Sequence, residues 1–153
     1  MKPRFFTHTN PVCGNQANFL IGATSPPPPK DPSLKAWEQL WSKQISQYRF
    51  QICCIPFFAY NLSLGDEVET DLDFMVTRVI KLSGHFTFRV WFSPDTPKEH
   101  LLDSISEMNC LMEAYSSNLV SIDAENARIA QRVANILAEA QKKGEIVYET
   151  GKI

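Results

Sequence analysis

Apolar and polar residues alternate strictly along two stretches of the chain. From Tyr48 to Cys54, Tyr48, Phe50, Ile52 and Cys54 share one face, and Arg49, Gln51 and Cys53 the other. From His85 to Phe92, Phe86, Phe88, Val90 and Phe92 form one face, and His85, Thr87, Arg89 and Trp91 its opposite. A period of two predicts half-buried strands, and the phenylalanine face of the second is expected to be core. Ala17 to Ile21, Glu67 to Asp71 and Phe74 to Leu82 predict further strands, with turns at Gly65-Asp66 and Ser83-Gly84. Trp37 to Lys43 is assigned as a strand, although Trp37, Leu40 and Trp41 also fit helical spacing. Pro56 ends the strand before it, and Phe57, Phe58 and Tyr60 predict an aromatic turn plugging one end of a small barrel.

The period changes after Pro94. Thr96 predicts an N-cap with Pro97 at the first helical position. Leu101, Leu102, Ile105, Met108 and Met112 follow at helical spacing. Asn118 to Ile122 predicts a strand. Asp123 is expected to cap a helix from Glu125 to Lys143 with an apolar stripe of Ile129, Val133, Ile136, Leu137 and Ala140, stopped by Gly144. Glu145 to Thr150 predicts the last strand. The expected fold is α+β: a β-rich, barrel-like half over residues 17–92, then a strand–helix–strand–helix–strand layer over 85–150, in one domain spanning 17–153. Residues 1–16 predict a loose N-terminal arm, and Pro26 to Pro29 a stiff polyproline spacer.

Composition narrows the function classes. The chain of 153 residues suits one domain, and its formal charge of -2 argues against direct nucleic-acid binding, which needs a basic surface. No apolar stretch approaches membrane-spanning length. Met1 to Pro11 contains no signal-peptide core, so a cytoplasmic location is expected. Cys13, Cys53, Cys54 and Cys110 form no CxxC pair and are expected to be free, mostly buried thiols. No metal or cofactor site is expected. His100 with Asp103 and Glu107 is assigned as a solvated helix face.

Several short motifs occur in order: Ile55-Pro56-Phe57-Phe58-Ala59-Tyr60, Leu64-Gly65-Asp66-Glu67-Val68, and Ser83-Gly84-His85 leading into Phe88-Arg89-Val90. With Trp37-Glu38-Gln39-Leu40-Trp41 and Tyr48-Arg49-Phe50 before them, they resemble a bacterial family known only as domain of unknown function 4265. The resemblance spans roughly residues 17–150 and implies no chemistry. By analogy, small acidic proteins of this kind resemble the immunity proteins of polymorphic toxin systems.

The expected function is therefore that of a non-catalytic immunity protein, with a cognate toxin domain, a basic nuclease, as its partner. Asp66, Glu67, Glu69, Asp71 and Asp73 place five acids in eight residues with no intervening cation. They are expected to form an electronegative patch that steers a basic partner. Trp91, beside Arg89 on the non-core face, is the second expected contact, since Trp and Arg are enriched at interface hot spots. The alternative is a small enzyme or ligand-binding regulator with Ser83, His85 and Arg89 lining a pocket, where His85 would act as a general base. A third reading is an adaptor that presents the polyproline segment.

Overall fold

The computed structural model describes residues 4–26, 33 and 35–152. Pro27 to Pro29 of the expected spacer lie outside the described residues. The chain folds as α+β: among the described residues it forms a six-stranded sheet, a four-stranded antiparallel sheet and two helices.

The first sheet is built around β3 (Ala36–Ser46). β2 (Phe19–Ser25) pairs antiparallel along one edge of β3, from Ala36 to Ser42. The other edge is shared: β1 (Arg4–Phe6) runs parallel to Ala36–Glu38, and β4 (Arg49–Ile52) antiparallel to Ser42–Ser46. β5 (Glu67–Thr70) and β6 (Val76–Lys81) continue the sheet beyond β4. The sheet curls until β2 meets the start of β6 at one bridge, Gly22 to Met75. A Cβ on Gly22 would come within 2.4 Å of the Met75 sulfur, so a larger residue there would make the Met75 side chain move. With one bridge there, the barrel-like half is a curled sheet rather than a closed barrel. Its concave face holds Ile21, Leu40, Phe50, Ile52, Cys54 and Val68.

The second sheet has the order β10 (Ile146–Thr150), β7 (Phe86–Phe92), β9 (Leu119–Ala124), β8 (Leu111–Ala114). α1 (Glu99–Ser106) and α2 (Ala127–Lys142) cover one face, burying Phe88, Val90, Phe92 and Ile122 against Ile105, Val133 and Leu137. This is the phenylalanine face expected from alternation.

Local boundaries differ from expectation for identifiable reasons. Met112 is on β8 rather than on a helix, because α1 ends at Ser106 and Asn109 takes a positive φ of 61°. Thr96 does not cap α1; its hydroxyl donates to the Glu145 carbonyl at 3.0 Å. Asp123 does not cap α2 either. Its side chain faces the opposite side of the sheet, and Asn126 accepts from the Ile129 amide at 2.9 Å instead.

The expected loose arm is pinned: it supplies β1 and buries His8. Short length and weak periodicity concealed it, since one parallel rung set with β3 needs only a few residues. Phe57 plugs no barrel end; it lies between the sheets, stacked on His8 at 4.3 Å and edge-on to Tyr115 at 5.2 Å.

Candidate functional site

Register divides the inner face of the second sheet, the face away from the helices, into three rows. The middle row is Glu113, Ser121, Arg89 and Glu149. Against it lies the segment 53–64, which forms no strand and so brings buried, unpaired backbone groups. Buried backbone polar groups need partners, and the middle row supplies them. Glu113 accepts from the Ile55 amide at 2.6 Å, and Ser121 donates to the Ile55 carbonyl at 3.2 Å. Arg89, fully buried, donates to the carbonyls of Ala59 and Pro56 and to Glu149 at 3.3 Å. Its guanidinium also lies over the Tyr60 ring at 4.9 Å. From the first sheet, Glu38 accepts from the amides of Phe57, Phe58 and Ala59 at 2.7, 2.9 and 2.9 Å.

His8 joins the two sheets. Its Nε2 lies 2.5 Å from Glu38 and its Nδ1 2.7 Å from Glu113. Both partners are carboxylates, which accept, so both ring nitrogens donate and the ring is an imidazolium. Burial works to lower the His8 pKa, but its interactions with Cys54, Glu113 and Glu38 prevail and push it up to about 12. Burial likewise opposes the Glu38 charge, but the bond and charge of His8 and the loop amides hold its carboxyl below the usual range. This cluster is a structural tie, with every donor and acceptor spent inside the protein.

The lower row carries Leu111, Asp123 and Thr87. Asp123 is 3% exposed and lies 2.8 Å from His85 Nδ1 through Oδ2, while Oδ1 has no hydrogen-bond partner among the described residues. Burial, its largest influence, pushes the Asp123 pKa up to about 6 against the His85 interaction. An acid raised in this way stabilises the fold fully below its unfolded value of 3.8, and loses that contribution as pH rises through 6. Asp123→Asn should therefore gain about 1–3 kcal/mol over the wild type at pH 8 and little at pH 4, by urea titration. An equal gain at both pH values would contradict the assignment.

Ser83, His85 and Arg89 do not converge on a pocket. Ser83 donates to the Leu64 carbonyl at 2.8 Å and accepts from the His85 amide at 3.1 Å, so its proton is committed to the turn. Arg89 is sealed beneath the segment 53–64. His85 keeps a part-exposed ring, backed by Asp123. Burial and the charges of Asp123 and Glu113 raise the Cys13 thiol pKa, so its thiolate gains population only as pH rises above neutral.

The acidic run is dispersed by the fold. Asp66 is not a surface residue: it is 2% exposed, accepting from the amides of Ser63 at 2.9 Å and Ser83 at 2.8 Å. Glu67 pairs across strands with Gln51 and Lys81, and Glu69 with Arg49 and Arg78, whose guanidinium lies 3.1 Å away. Lys43, opposite Gln51, shares that face. The two glutamates thus stand among four cations supplied by other strands. Asp71 and Asp73 are exposed at the β5–β6 turn, where Asp71 Oδ1 accepts from the amides of Asp73 and Met75.

The upper row is apolar: Tyr115, Leu119, Trp91 and Val147. Leu119 is buried, Trp91 half-buried, Tyr115 40% exposed and Val147 63% exposed. Phe58 extends the row, edge-on to Tyr115 at 5.0 Å. The Trp91 expected as a contact therefore sits in an apolar rim with Leu119, Val147, Tyr115 and Phe58. On the helical side, a groove of about 780 Å³ between α1 and α2 is lined by His100, Leu101, Ser104, Ile136 and Glu139.

Sequence reasoning missed His8, Glu38, Glu113, Asp123 and Glu149. One signal was available: in β3, Glu38 alternates with the buried Ala36, Leu40 and Ser42, and a glutamate on a core face needs a buried partner.

A family model described as a domain of unknown function (DUF4265) matches residues 38–148. The solved structure of a hypothetical protein from Neisseria gonorrhoeae is similar, with a TM-score of 0.74 at 22% identity over 88% of this chain and 96% of that one. At that identity the likeness shows a shared fold. No curated protein matches the chain.

Proposed function

From the premise that the chain belongs to the DUF4265 family, matched over residues 38–148, we propose that it is a non-catalytic immunity protein that binds and neutralises a toxin domain. The observation that carries this reading is the apolar rim of Phe58, Tyr115, Trp91 and Val147. It combines large, rigid, part-exposed rings with a fully satisfied polar layer directly beneath, which holds them in place. Interface hot spots favour Trp and Tyr on such pre-organised supports. The partner's matching surface is an apolar pocket.

The reading predicts growth arrest when the C-terminal domain of the large protein encoded beside this gene is produced alone, and restored growth when this chain is co-produced. A neighbouring product without toxicity, or toxicity that the chain does not relieve, contradicts it.

A second reading, a small enzyme or ligand-binding regulator, is supported by the part-exposed His85 backed by Asp123 at 2.8 Å. The two readings separate on His85→Ala. Neutralisation survives this change under the first reading, whereas under the second a correctly folded variant loses its activity.

A further inference from the structure

The four thiols do not share one environment. Cys54 belongs to the core of the first sheet and Cys110 to the core under the helices. Cys53 belongs to neither core cluster: alternation along the strand end turns it away from Cys54, and its Sγ lies 3.6 Å from the Gln51 carbonyl. Cys13 is half-buried in a run of tight turns, Gly14 to Pro11 at 3.2 Å and Gln16 to Cys13 at 3.0 Å. Its amide donates to the Cys53 carbonyl at 3.4 Å. This single backbone bond sets the two residues side by side, and a disulfide needs Cα atoms roughly 4.4–6.8 Å apart.

We propose that Cys13 and Cys53 are a redox modification site, a dithiol that closes to a disulfide and fastens the N-terminal segment to the first sheet. Burial raises the Cys53 pKa, and the charge of an ionised Cys13 adds to it. The oxidant is a low-molecular-weight disulfide. The Cys13 thiolate attacks it and releases one small thiol, leaving a mixed disulfide. The Cys53 thiolate then attacks the Cys13 sulfur and displaces the second small thiol. Two protein thiols and one small disulfide thus become one protein disulfide and two small thiols. The closed ring holds β1 and His8 against β3 by a covalent bond as well as by charge.

The test uses the full chain with glutathione disulfide at pH about 8.5, where raised thiols ionise appreciably. Free thiols should fall from four to two, and peptide mapping should show Cys13 joined to Cys53 within one chain. Cys13→Ser and Cys53→Ser should each abolish the internal bond, with Cys53→Ser keeping a glutathione adduct on Cys13. In the oxidised wild type, amide exchange at Phe6 and His8 should slow by about tenfold as local opening is suppressed. A disulfide involving Cys54 or Cys110, a bond between chains, or four thiols remaining after equilibration would overturn the proposal.

Discussion

His8→Ala should lower stability by about 3–5 kcal/mol at pH 7, the usual range for removing one partner of a buried ion pair. Glu38 and Glu113 would be left facing each other, and both are buried. The pH dependence carries a sharper signature. The folded-state pKa of His8 is raised from 6.5 to about 12, so its contribution is full below 6.5 and is lost as pH rises toward 12. The Glu38 pKa is lowered from 4.5, so its contribution is full above 4.5 and is lost as pH falls through the depressed folded value. Wild-type stability should therefore decline from pH 7 to pH 9, and His8→Ala should flatten that decline. Urea denaturation at several pH values reads both effects. A variant within about 1 kcal/mol of the wild type, with an unchanged slope, would show that the tie is not ionic.

Arg89→Ala should cost about 3–5 kcal/mol as well, by a different route. The change opens a cavity and strands the carbonyls of Pro56 and Ala59, which have no water to turn to. Arg89→Lys should recover little of this loss, because an ammonium keeps the charge but cannot span both carbonyls and Glu149 with one planar fork. If Arg89→Lys were as stable as the wild type, charge rather than geometry would be the requirement. Thermal unfolding of the three proteins at one pH distinguishes the cases.

These two residues also mark how far the sequence could be read. The strand at Phe86–Phe92 and its core face were legible because apolar alternation is a local signal. The same alternation placed Arg89 opposite the core, which reads as solvent exposure until a second layer covers it. That layer is a loop from residues 53–64, and loop packing leaves no period in the sequence. His8 was hidden because its partners, Glu38 and Glu113, come from two different sheets. The acidic run misled for the converse reason. Its neighbours in sequence are acids, but its neighbours in space are Arg49, Arg78 and Lys81, brought in by strand register. Asp66 was read as a surface charge, although its place after Gly65 in a tight turn favours capping of local amides. Trp91 was placed on the correct face, and pairing with Leu119 and Val147 shows the row to which it belongs.

The most direct test of the binding account is the affinity of the purified chain for the toxin domain that the proposal assigns to it as partner. Wild type, Trp91→Ala and the triple variant Glu67→Lys, Glu69→Lys, Asp71→Lys are compared at two salt concentrations. Loss of a hot-spot tryptophan costs about 2 kcal/mol or more, so Trp91→Ala should weaken Kd by roughly 30-fold or more while circular dichroism stays unchanged. The triple variant should change association by less than about threefold, because the glutamates already stand among cations and steer weakly. Wild-type affinity for Trp91→Ala, with slow association and lost salt dependence for the triple variant, would contradict the account and move the interface to the β5–β6 face.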